Sequence, residues 1–228
     1  MEIRRGYMES ASRAGVEKLD AEVLRLERSG DGLRDVTSSG TREVGTVVNA
    51  AGAWAGRLGA LAGVEVPVQP LRRQVALTVP TATLPATMPM IIFPDGFHLR
   101  VRDGRVLLLW PTEGAEDPFD VGVDPRWTQM VVQAARERVP ALAAIEIEST
   151  YAGLYEMSPD EHALLGPAPG LDRLFLVNGS SGHGVMHAPA LGQLAAEMLT
   201  GAPPALEVQA LRPSRFAEGR PNPVRRLL

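Results

Sequence analysis

The sequence predicts an α+β (mixed α/β) protein, with an antiparallel middle section between two more α/β-like ends. Three observations predict it. Residues 174–178 form an apolar strand-like run that passes through a Gly/Ser turn into a helical pattern ending near Thr200-Gly201. Residues 44–49 run similarly into Ala50-Ala51-Gly52. Between them, Asp103-Gly104 separates two apolar runs, a strong hairpin signature.

Taken in order, residues 3–14 predict a short helix with Ile3, Tyr7, Ala11 and Ala14 on one face, stopped at Gly15. Val23, Leu24 and Leu26 have strand character, and Asp31-Gly32 is a turn signal. Residues 44–49 predict one buried strand, and a small-residue helix then ends near Gly63. A strand is expected over 74–79, and a hairpin pairs 97–102 with 105–110. Asp124-Pro125 supplies an N-cap and a first-turn proline. Trp127, Met130, Val131, Ala134 and Ala135 make that helix's apolar stripe, and Pro140 ends it. Residues 146–157 read as a strand, 158–170 as a Pro- and Gly-rich loop, and the tail after Pro203 as irregular.

Composition narrows the function classes. With 45% hydrophobic and 22% charged residues, the 228-residue chain is an ordinary globular one rather than a disordered one. A net charge of −4 gives no reason to expect nucleic acid as a partner. The absence of cysteine excludes disulfides, thiolate metal sites and cysteine nucleophiles. No apolar run reaches the roughly 20 residues of a membrane span, and a cytoplasmic location is the expectation.

The turn from Gly179 to Met186 carries the richest chemistry. Small residues let a ligand approach the backbone, and a helix N-terminus offers unpaired amides and a positive dipole end. The same glycines also serve a plain strand-to-helix connection. Three sharper alternatives fail on spacing. Gly182-His183-Gly184 opens like a dinucleotide fingerprint, but His187 stands where the third glycine belongs. Ser180 and Ser181 do not fit a nucleophile elbow. His183 and His187 lack the glutamate of H-E-x-x-H, so no metal is expected. Elsewhere, Asp160, Glu161 and His162 read as a solvated turn, and adjacent Arg72 and Arg73 must point to opposite faces of a strand.

Three segments together, residues 47–54, 153–170 and 179–192, resemble the glycine oxidase, sarcosine oxidase and D-amino-acid oxidase family of FAD-dependent oxidoreductases. The resemblance implies a partial FAD-binding domain over 1–66, an antiparallel-sheet substrate domain over 67–150, and a return to the FAD-binding domain with a tail over 151–228. It implies FAD contacts from Val23, Ala50, Ala51, Gly52, Gly179, Ser180, Ser181, Gly182, His183, Gly184, Val185 and Met186. Tyr155 and His183 are then the catalytic candidates, and Tyr155 and Arg73 the substrate-binding ones. The implied chemistry is hydride transfer from a carbon beside an amine nitrogen, with a small amine or amino acid as substrate.

The chain departs from the family pattern in three places. Tyr155 follows Gly153-Leu154 where amino-acid oxidases carry an arginine for the substrate carboxylate. Met186 stands where sarcosine-type members place a lysine, which favours an electron acceptor other than oxygen. The G-x-G-x-x-G that cradles the FAD pyrophosphate is not in the chain. The expectation is a truncated enzyme, incomplete alone, with a partner chain supplying the N-terminal FAD-binding segment. The alternative is a non-catalytic remnant or structural subunit.

Overall fold

The computed structural model describes residues 2–111 and 116–224. The chain divides into two units, Met1–Val47 and Val48–Leu228.

In the first unit, α1 (Glu2–Arg13) forms as its 3.6-residue pattern predicts, and Gly15 closes it at φ +88°. Its apolar stripe stays open: Ile3 and Tyr7 are exposed and no residue of the helix is buried. Strands β1 (Val23–Ser29), β2 (Gly32–Thr37) and β3 (Gly40–Val44) make an antiparallel meander. Gly30 and Asp31 turn the first hairpin, which pairs Ser29 with Gly32. Leu26 and Leu33 point inward, and Arg34 faces Glu43 across the strands at 2.7 Å.

The predicted strand over 44–49 is two strands. Gly45 and Thr46 interrupt it, so β3 ends at Val44 and β4 (Val47–Asn49) starts afresh. A glycine without a side chain to pack weakens a strand interior, and here the chain bends.

In the second unit, a 3-10 turn at Gly52–Trp54 leads into α2 (Ala55–Leu61). Gly59 lets this helix lie against the following segment, since a Cβ there would stand 2.5 Å from a Val66 methyl. Five strands then form one antiparallel sheet. They are β5 (Gln69–Thr78), β6 (Ile91–Ile92), β7 (His98–Arg102), β8 (Arg105–Leu109) and β9 (Ile147–Met157), in the order β6-β7-β8-β5-β9. Strand β5 begins five residues before the predicted 74–79 because its whole length pairs with β9.

Helix α3 (Pro125–Arg138) covers this sheet. The Asp124 carboxylate accepts the Arg126 amide at 2.8 Å, and Trp127, Val131, Ala134 and Ala135 pack on Ala76, Phe97, Leu99, Val106 and Leu108. Strands β10 (Leu164–Ala168) and β11 (Leu171–Asn178) form a hairpin beside β4, in the order β10-β11-β4. Sequence reading took β10 for loop. Its proline, Pro167, is tolerated because β10 is the edge strand, and Leu164 and Leu165 are buried. Helix α4 (Gly184–Thr200) closes over the hairpin with Leu191, Leu194 and Ala195 against Leu165 and Phe175. The tail makes two 3-10 turns, Gln209–Leu211 and Pro213–Arg215, and Arg215 has no exposed surface at all.

Candidate functional site

Strands β4 and β11 are neighbours, and each ends in a buried asparagine, with a positive-φ glycine three residues after Asn49 (Gly52) and directly after Asn178 (Gly179). Asn49 uses both ends of its amide, donating to the Ala55 carbonyl at 3.0 Å and accepting the Ala51 amide at 3.1 Å. This folds Ala50, Ala51 and Gly52 (φ +55°) into a tight turn. Asn178 reaches Asn49 at 3.5 Å, while its own side-chain oxygen is buried without a partner among the described residues. Two strand–turn–helix junctions therefore open side by side.

The second junction is the turn predicted over 179–186. Gly179, Ser181 and Gly182 all have positive φ, at +72°, +49° and +88°. Such a run persists only where surroundings fix it. Here β9 does so: Ser180 bridges to Met157, and the Ser181 amide donates to the Glu156 carbonyl at 3.1 Å. The Glu156 carboxylate accepts the Ser180 amide at 3.2 Å. His183 is the N-cap residue of α4 and makes no side-chain cap bond. The Gly184 and Val185 amides lie in the first turn, where a helix offers no internal acceptor. Val185 and Met186 beside them are 78% and 69% exposed.

On the adjoining sheet, β5 and β9 pair Arg73 with Gly153 and Leu71 with Tyr155, which puts Arg73 and Tyr155 on one face. The Arg73 guanidinium lies 5.6 Å from the Tyr155 ring centroid. Among the described residues no carboxylate pairs with it, and burial lowers its pKa from the ordinary arginine value. Arg72 is on the other face and is committed, at 2.5 Å to Asp120 and 3.0 Å to the Gly122 carbonyl. Tyr155 also meets the turn. A Cβ at Gly182 would stand 2.6 Å from the tyrosine ring, so only glycine fits there.

The predicted residues thus fall into three places. Tyr155, Arg73 and the backbone of 180–182 are brought together. The His183 ring instead stacks on His187, 5.7 Å between centroids, and both line a cavity of about 700 Å³ with His162, Met186, Leu191 and Leu194. Val23 belongs to the first unit, at the start of β1.

Asp160 overturns the expectation of a solvated turn. It is 1% exposed and forms a two-bond ion pair with Arg215, both distances 2.8 Å. Burial alone would raise its pKa. Hydrogen bonds from Arg215, Asn222 and the His162 amide outweigh that and hold the carboxyl well below the usual carboxylate range. Sequence reading missed this pair, and missed Glu156 and Ser158 as supports of the turn. An arginine alone in an irregular tail carries no signal of burial.

Open amides at a helix start, two glycine turns, and exposed apolar groups at Val185 and Met186 fit the edge of a flat heteroaromatic ring. An aromatic ring and a guanidinium that donates to the Arg72 carbonyl at 3.3 Å but meets no carboxylate among the described residues could take a small acid beside it. The Asn178 oxygen, unsatisfied among the described residues, leaves polar capacity under the turn.

The FAD dependent oxidoreductase (DAO) family matches residues 2–198, and the chain belongs to it. FAD is the cofactor of that family. The chain is 35% identical over 175 residues to FAD-dependent oxidoreductase domain-containing protein 1 of Bos taurus, which covers 69% of this chain and 36% of the relative. It is 31% identical over 195 residues to glycine oxidase of Pseudomonas aeruginosa, covering 85% and 52%. The crystal structure of L-proline dehydrogenase from P. horikoshii superimposes with a TM-score of 0.82 at 28% identity, over 93% of this chain and 58% of that one. The chain therefore spans between about a third and three-fifths of these relatives' lengths.

Proposed function

We propose that this chain forms the flavin-edge and substrate half of an FAD-dependent amine or amino-acid dehydrogenase or oxidase. On this reading residues 1–66 and 151–228 serve the cofactor and 67–150 the substrate. The observation that carries it is the convergence of the 180–184 turn, Tyr155 and Arg73, which has no carboxylate partner among the described residues.

The Gly184 and Val185 amides would hold the pyrimidine edge, with Ala50 to Gly52 and the 179–183 backbone lying close to the ring system. Val23 would meet the adenine end. Bound FAD supplies a two-electron acceptor for a hydride leaving the carbon next to an amine nitrogen. The chain's own residues bind and orient. Arg73 pairs with a substrate carboxylate, a charge-assisted contact that its missing partner leaves available. Tyr155 presents its ring and hydroxyl to the substrate body. His183 contributes the turn backbone, and its ring contacts whatever enters from the cavity side. Water then takes the imine product to a carbonyl compound and an amine.

The G-x-G-x-x-G cradle is not among these 228 residues, and on this reading the complete FAD site would draw it from outside them. The exposed Val185 and Met186 support such a covering segment.

Anaerobic bleaching of the flavin-loaded protein by a panel of amines tests the reading. Secondary and primary amino acids should bleach it, and the matching amines without a carboxylate should not. Arg73→Gln should remove that preference, costing roughly 10²-fold or more in kcat/KM for the acids. Equal bleaching by both classes would remove Arg73 from the site, and no bleaching by any C–N donor would remove the activity.

A further inference from the structure

The tail lies beyond the family match, which stops at residue 198. It nevertheless reaches the turn through side chains that the proposed chemistry does not use. We propose that Arg215 is a positioning residue: through Asp160 and Ser158 it fixes the turn at 179–184, making residues 199–224 a working part of the site.

The connection can be followed bond by bond. Arg215 spends its whole donor fork, on both Asp160 oxygens, on the His162 carbonyl at 3.0 Å, and on the Leu211 and Arg212 carbonyls. Asn222 adds its backbone amide, 2.9 Å, and its side chain, 3.2 Å, to the same carboxylate. Asp160 in turn accepts the His162 amide at 3.2 Å. The shared joint is Ser158. Its hydroxyl donates to the His162 carbonyl at 2.7 Å, and its amide donates to the Ser181 hydroxyl at 3.1 Å. Ser181 passes the contact on, donating to the Gly179 carbonyl at 3.0 Å.

Strain explains why the turn needs such support. Among the described residues, Asp103, Glu161 and Ser181 are the non-glycines with positive φ, and two of them belong to this stretch: Glu161 between Asp160 and His162, and Ser181 at the turn. Residues in that backbone region persist when their surroundings over-determine them. A stabilising anchor for the tail would need only Arg215 and Asp160. The hydroxyls of Ser158 and Ser181 extend the network past the anchor to the turn.

Hydrogen exchange on the cofactor-free chain tests this with three amides. Ser181 reports the turn, Asn222 the tail, and Val106, bonded to Thr78 at 2.9 Å, the distant sheet. Arg215→Lys keeps the charge and loses the fork. It should speed exchange at Ser181 and Asn222 by about tenfold or more and leave Val106 unchanged. Ser158→Ala should speed Ser181 alone, with Asn222 still protected.

A turn that stays protected beside an opened tail would overturn the proposal. So would equal loss at all three amides, or a Ser181 amide unmoved by Ser158→Ala. Should Arg215→Lys fail to fold, Ser158→Ala decides by itself. The turn's role toward a flavin rests on the function proposed above. A flavin titration of the parent chain tests that role separately, and a failed titration leaves the exchange result intact.

Discussion

The antiparallel sheet under α3 and the junction of β9, β11 and the tail hold together by different physics. The first is an apolar layer in which Phe97, Leu99, Val106, Leu108, Trp127 and Val131 are all essentially sealed from solvent. The second is built around one fully buried ion pair and two serine hydroxyls. Apolar packing is non-directional and tolerates repacking. A buried charge pair fixes directions, and it fails abruptly when one member is lost. The molecule uses the tolerant layer as scaffold and the directional one next to the candidate site.

Breaking each region should display the contrast. Arg215→Ala leaves the buried Asp160 carboxylate without its counter-charge and should cost about 3–5 kcal/mol in urea unfolding. Replacing both members by apolar residues of similar volume, Arg215→Met with Asp160→Leu, should recover much of that stability without restoring protection of the turn. Leu108→Ala should cost about 2–5 kcal/mol through a cavity, and amide protection should fall across the sheet rather than at the turn.

Acid sharpens the comparison. The native Asp160 carboxyl titrates below its unfolded value, so its contribution is complete above about pH 4 and is lost as pH falls further toward the folded value. Tail and turn amides should open in that window before Val106 does, and Asp160→Asn should abolish the difference. Smallest is Asp124→Ala, expected to cost about 1 kcal/mol by removing the α3 cap, with the site untouched.

The same contrast decides what could be read from the sequence. Asp103-Gly104 declared its hairpin because both residues take positive φ, +51° and +69°, a local requirement with a local signature. Asp124-Pro125 declared α3 in the same way. The 179–186 turn was legible because glycine marks close backbone approach. Asp160 was misread because its partner lies 55 residues away, and a charged turn is by default a solvated one. Strand β10 was missed because proline and glycine argue against a strand until its place at the sheet edge is known. Nor does the sequence tell that, among the described residues, Arg72 has a carboxylate and Arg73 has none, since that depends on where residue 120 arrives.

The contact between Gly182 and the Tyr155 ring ties two positions into one heritable unit. Any side chain at 182 must displace the ring, so a lineage that changes residue 182 has first to shrink residue 155. Even then the left-handed backbone at +88° penalises every residue but glycine. The freedom to vary is therefore one-sided. Residue 155 can be exchanged while 182 stays fixed, so under the function proposed above Tyr155 is the place where new specificity would be reached in a single step.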